Sequence, residues 1–140
     1  MAGVAPYNTV EEIEEVVRRF EDCEYTPEEF VHAKHLTVAA YYFFQWDRKT
    51  AENRMRSGLQ KFIRHHRRNA YHETITQFWL QMAGFYCHAE LRREGLVPVV
   101  NTVVEQLGNK SLIYDYFSRA CLDSPEAKAA WMEPNLKRLP

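Results

Sequence analysis

The chain has 140 residues, a formal net charge of −1 and 26% charged side chains, so no overall field draws it to nucleic acid or to an anionic membrane. That length buries one substantial core without help from disulfides or a structural metal. Cys23, Cys87 and Cys121 are widely spaced with no C-x-x-C pair and read as reduced packing thiols. Met1 to Tyr7 carries no basic stretch leading into an apolar one, and the longest apolar run, Val38 to Phe44, is too short to span a bilayer. The expectation is a cytoplasmic protein with no membrane and no nucleic-acid partner, folded as one domain over residues 1–140.

In chain order, Thr9-Val-Glu-Glu12 is a capping box, and Ile13, Val16, Val17 and Phe20 follow at helical spacing, which predicts a first helix to about Glu21. Thr26-Pro-Glu-Glu29 repeats the signal with Pro27 at the first helical position, where its missing N–H costs nothing, and predicts a second helix to about Trp46. Beyond the polar break Asp47-Arg-Lys-Thr50, Met55, Leu59, Phe62 and His66 form one stripe of a third helix, capped by Thr50 and ending in a basic patch.

A fourth helix opens near Tyr71 or His72 and runs to about Arg93, where Glu94-Gly95 stops it. Gly84 inside it costs about 1 kcal/mol relative to alanine, so a neighbouring helix is expected to approach closely there. Pro98 starts a fifth helix ending at Gly108, Ser111 to Arg119 reads as a sixth, and Ser124-Pro-Glu126 opens a short one through Trp131. Residues 1–8 and 133–140 read as extended or flexible tails. With no repeat and no strand hairpin, the class is all-α: a single-domain bundle of about five main helices plus short C-terminal ones.

Advancing about 100° per residue, His32 and His35 fall among Leu36, Ala39 and Phe43 on the apolar side of the second helix. His72 joins Ile75, Trp79 and Met82 on the fourth, with Glu73 at the margin; His66 continues the stripe of the third, and His65 turns away. An imidazole buried without partners leaves a donor and an acceptor unpaired, at about 1–3 kcal/mol each. Coordination resolves this. His32, His35 and His72, with His66 or Glu73 as a fourth, make a candidate set for a divalent transition metal, and nitrogen donors with or without a carboxylate suit zinc, iron, copper or nickel. The alternative is that each histidine is satisfied singly, by a carboxylate, a tyrosine hydroxyl or a free carbonyl.

Glu28, one turn before His32, is either an orienting carboxylate or a residue complementing the helix dipole. Lys61, Arg64, Arg67 and Arg68 lack interleaved aromatics and read as a solvated helix end. The run Tyr41 to Trp46 reads as core, or else as a pocket lining or a dimer contact. No Gly-rich phosphate loop, nucleophile elbow or H-E-x-x-H helix is present.

The segments Phe30-Val-His-Ala-Lys-His-Leu36, Arg54-Met-Arg-Ser-Gly-Leu59, Tyr71-His-Glu-Thr-Ile-Thr76 and Leu122-Asp-Ser-Pro-Glu-Ala127, with the closing Glu133-Pro-Asn-Leu, resemble a group of small bacterial proteins of uncharacterised function. The likeness covers most of residues 26–140, and its most specific element is H-x-x-H-L followed by Y-H-E-T-x-T. It implies a helical fold, points to His32, His35, His66, His72 and Glu73, and transfers no activity. The expected function is a helical protein with a buried polar site: a small-molecule enzyme or ligand-binding domain that uses a transition metal, with His35, His72 and Glu73 as acid–base groups. The competing class is a noncatalytic interaction module, packed as a homodimer, whose core histidines are satisfied structurally.

Overall fold

The computed structural model describes residues 6–140, and among them every regular element is helical, with no strand. α1 (Val10–Glu21) carries the capping box: Glu12 N–H donates to Thr9 Oγ1 at 3.2 Å and Thr9 N–H to Glu12 Oε1 at 3.0 Å. Its stripe of Ile13, Val16, Val17 and Phe20 is buried. The tail expected over residues 1–8 lies partly outside the described residues. Within them Tyr7 is tied down, its N–H donating to Asn101 Oδ1 and its carbonyl accepting from Asn101 Nδ2.

α2 (His32–Gln45) starts later than the capping signal predicts. Thr26 and Glu29 do form their reciprocal bonds, at 3.2 and 2.8 Å, but these close a single turn. Burial overrides the local signal. Phe30 turns inward to stack on Phe20, ring centroids 4.7 Å apart, and to meet Phe62 at 5.2 Å, so the helix begins only after an extended Val31. Glu28 therefore sits exposed in that turn, 3.4 Å from Arg68, and not in the first turn of α2.

α3 (Arg48–His65) begins almost at once, and its cap is Asp47, not Thr50: the Asp47 carboxylate accepts from the Thr50 N–H at 3.3 Å. α1 and α3 end alike, on non-glycine residues in the left-handed region, Cys23 at φ +57° and Arg67 at φ +55°. There the N–H groups of Glu24 and Arg68 reach back to the carbonyls of Arg19 and Ile63.

α4 (Glu73–Tyr86) breaks at Cys87 instead of running to Arg93, because His88 caps a separate turn, α5 (Ala89–Arg92), its Nδ1 accepting from the Leu91 N–H at 3.3 Å. Gly95, at φ +108°, then starts α6 (Leu96–Leu107), which places Pro98 inside the first turn. Neighbouring side chains do approach Gly84: a Cβ there would lie 2.9 Å from the Arg48 guanidinium and 3.2 Å from the Phe43 ring.

The stretch predicted as one helix over 111–119 is a 3-10 segment (Lys110–Asp115) followed by α7 (Arg119–Leu122), and α8 (Pro125–Ala129) is capped by Ser124. Residues 130–140 hold no helix and are docked, Met132 N–H donating to Thr74 Oγ1 at 3.1 Å and Leu136 N–H to the Tyr116 carbonyl at 3.0 Å. α2 is the central rod, packed against α1, α3, α4 and α6. Its aromatic run serves this core: Tyr42 and Phe43 are buried, and Tyr41, Phe44 and Trp46 pack partly against it. Among the described residues no helix is long and apolar enough to cross a membrane.

Candidate functional site

The start of α2, the middle of α3, the start of α4 and the 3-10 segment enclose a cavity of about 1030 Å³. Helix periodicity sets its depth. Val31 and His32 stand at the mouth, His35 and Leu36 one turn in, and Ala39 a turn further, a stripe about 12 Å long down which exposure falls from 53% at Val31 to 1% at Leu36 and 5% at Ala39. The walls and floor are apolar, with Phe30, Met55, Phe62 and Leu80 buried and Leu59, Ile75 and Trp79 partly so. Arg68, Lys110, Ser111 and Tyr114 form an exposed rim.

His32, His35 and His72 all line this cavity, but their bonds give them different roles. His72 is the N-cap of α4: Nδ1 accepts from the Ile75 N–H at 3.1 Å, so Nε2 carries the proton and donates to the Leu122 carbonyl at 2.7 Å. Both ring nitrogens are engaged by backbone. His72→Ala is therefore expected to cost about 2 kcal/mol of stability, and His72→Asn, which still caps Ile75, to recover about half of it. Urea unfolding checks this; equal losses in the two variants would show that the cap contributes nothing.

His32 donates from Nε2 to the Leu107 carbonyl at 2.9 Å and lays its ring edge against Trp79, centroids 4.5 Å apart. Burial holds its pKa below the usual histidine value against the opposing pull of that carbonyl. His35 has no hydrogen-bond partner among the described residues. It lines the cavity, closely surrounded by protein yet keeping some accessible surface, and the Phe30 ring meets its edge at 4.1 Å. Burial first, then the nearby His32 and Lys110, push its pKa down to about 4, so it is a neutral imidazole at neutral pH.

The other expected site residues lie elsewhere. His66 is the C-cap of α3, outside the cavity lining, with its ring 4.5 Å from Phe62 and its Nε2 buried without a partner among the described residues. Glu73 stands behind the wall. Its Oε2 accepts from Arg56 at 3.2 Å and its Oε1 from the Tyr71 hydroxyl at 2.6 Å, and burial with this carboxylate pushes the Tyr71 phenol up to about 12. No carboxylate lines the cavity. Among the described residues no three His, Cys, Asp or Glu side chains gather as a set able to hold a metal ion. Of the four imidazoles expected to ligate zinc, iron, copper or nickel, His72 has no free nitrogen and His66 lies apart, which leaves His32 Nδ1 and His35 at the cavity.

Sequence reasoning missed Lys110 and the placement of Arg68 on the rim. Lys110 falls between two predicted helices with no periodicity to orient it, and only packing brings it to the start of α2. Comparison with protein-family models, curated proteins and solved structures gives no match to this chain, so its function is read from the cavity itself.

Proposed function

We propose that the chain is a binding domain for a small, mainly apolar molecule, held in the cavity between α2, α3 and α4 with a polar group of the ligand meeting His35. One observation carries this: a neutral imidazole without a protein partner, placed at mid-depth in a mainly apolar cavity. Ligand cavities commonly span about 300–1,000 Å³, and this one stands at the upper end of that range. The ring nitrogens of His35 have no hydrogen bond among the described residues, so one is free to donate to, and the other to accept from, a polar group of the ligand. Binding is favoured over acid–base catalysis because the polar atoms of His72 and Glu73 are already engaged within the protein. In addition, a histidine with a pKa of about 4 is a weak base at neutral pH.

The test is titration with the uncharged fluorophore phenylnaphthylamine, whose emission rises in an apolar environment. Saturable uptake of roughly one probe per chain is expected. Ile75→Trp, which fills the cavity from α4, and Ala33→Trp, which narrows its exposed mouth, should each weaken uptake about tenfold with the thermal transition retained. Absence of saturable uptake, or uptake unchanged in both variants, would overturn the proposal. Uptake that survives dialysis against a chelator supports an apolar site; its loss would transfer the site to a metal held by His32 and His35.

A further inference from the structure

We infer that the occupant of this cavity is an acid: an apolar molecule with a carboxylate or similar anionic group, anchored at the rim by Lys110 while its tail fills the floor beyond His35. The inference rests on the binding proposed above and adds the charge and orientation of the ligand.

Three observations agree on it. The fully charged side chains lining the cavity are Arg68 and Lys110, both cationic, and no Asp or Glu is in the lining. Arg68 already faces Glu28 at 3.4 Å, whereas among the described residues no carboxylate pairs with Lys110. That leaves one ammonium at the mouth of an apolar space with its charge uncompensated.

The second observation is the start of α2, which opens at the same mouth. α1 begins with a side-chain cap and two glutamates in its first turn; α2 begins with neither. The partial positive charge of the α2 N-terminus is thus left uncovered where Val31, His32 and Ala33 line the entrance. Third, His35 is a hydrogen-bonding side chain closely surrounded by protein, unpartnered, and directed into the cavity one turn below that entrance. An anionic head between Lys110 and the helix start accepts charge-assisted bonds from both, and directs the apolar remainder past His35 toward Leu36, Ala39 and Met55.

Decanoate and decanol share a tail and differ in the head, so competition of each against phenylnaphthylamine isolates the charge. In the unmodified protein decanoate should displace the probe at about tenfold lower concentration than decanol, and added salt should shrink that difference. In Lys110→Gln the preference should fall to about twofold through weaker decanoate binding, with decanol unchanged, and Lys110→Arg should retain it. Equal displacement by the two in the unmodified protein, with the probe still bound, would overturn the acid while leaving apolar binding intact. A preference undiminished in Lys110→Gln would overturn the anchor, and failure of the probe to bind at all would overturn both readings.

Discussion

Phe20→Ala is expected to lower the free energy of unfolding by about 3–5 kcal/mol, a large share of the roughly 5–15 kcal/mol that holds a domain folded. Phe20 is 1% exposed and joins three elements: its ring stacks on Phe30 of the Thr26–Phe30 turn at 4.7 Å, meets Phe62 of α3 at 5.9 Å, and occupies the space over Gly58. A Cβ on Gly58 would lie 2.7 Å from the Phe20 ring, so glycine is what lets the ring seat against α3. Alanine at position 20 leaves a void that rigid helix backbones close only in part. The loss should reach the site, because Phe30 and Phe62 are cavity walls and Phe30 abuts His35. Urea unfolding measures the first effect and phenylnaphthylamine uptake the second. A double-mutant cycle with Gly58→Ala tests the packing: overpacking by that change should cost about 1–3 kcal/mol beside the phenylalanine and much less beside alanine. A cost below about 1 kcal/mol for Phe20→Ala would mean that this cluster does not support the wall.

The helices whose ends are set by neighbouring residues were legible in the sequence, and those whose ends are set by distant packing were not. The box of Thr9 and Glu12 fixes α1, and Ser124 with Pro125 fixes α8, because each signal is completed within one turn. The same box at Thr26 forms and yet does not start a helix, since Phe30 gains more by entering the cluster with Phe20 and Phe62 than by extending a turn. The ends of α1 and α3 carry no glycine signal, as Cys23 and Arg67 take the left-handed conformation instead. For the site, periodicity brings His32, His35 and His72 to one space because the angular position of a residue on a helix is local. Which imidazole stays free is not local. The partners of His32 and His72 are the carbonyls of Leu107 and Leu122, 75 and 50 residues away in sequence. His66 continues the stripe in phase and packs on Phe62, but it is the C-cap of α3, beyond the part of that helix that lines the cavity.

Acid should destabilise the fold through His35 well before most carboxylates titrate. Its pKa is about 4 folded against 6.5 unfolded, so between those values the unfolded chain binds the proton that the folded chain refuses. Stability is accordingly full above about pH 6.5, falls as pH drops toward 4 and levels off below, a total of about 3 kcal/mol at 1.36 kcal/mol per unit. About 2 kcal/mol of that is lost by pH 5. His32, also held below its usual value by burial, acts in the same direction. The carboxylates of Glu12, Glu15, Glu24 and Glu29 are held below their ordinary range, so the loss they contribute comes at lower pH. The window from 6.5 to 5 therefore reports mainly the buried histidines. His35→Leu exchanges an unpartnered imidazole for an apolar side chain of similar size, so it should leave stability at pH 7 nearly unchanged and flatten most of the slope, making the variant the more stable protein at pH 5. Urea unfolding of both proteins at the two pH values measures the difference. A wild-type slope that persists in His35→Leu would place the titrating group elsewhere and would remove the evidence that this imidazole is held neutral in the cavity.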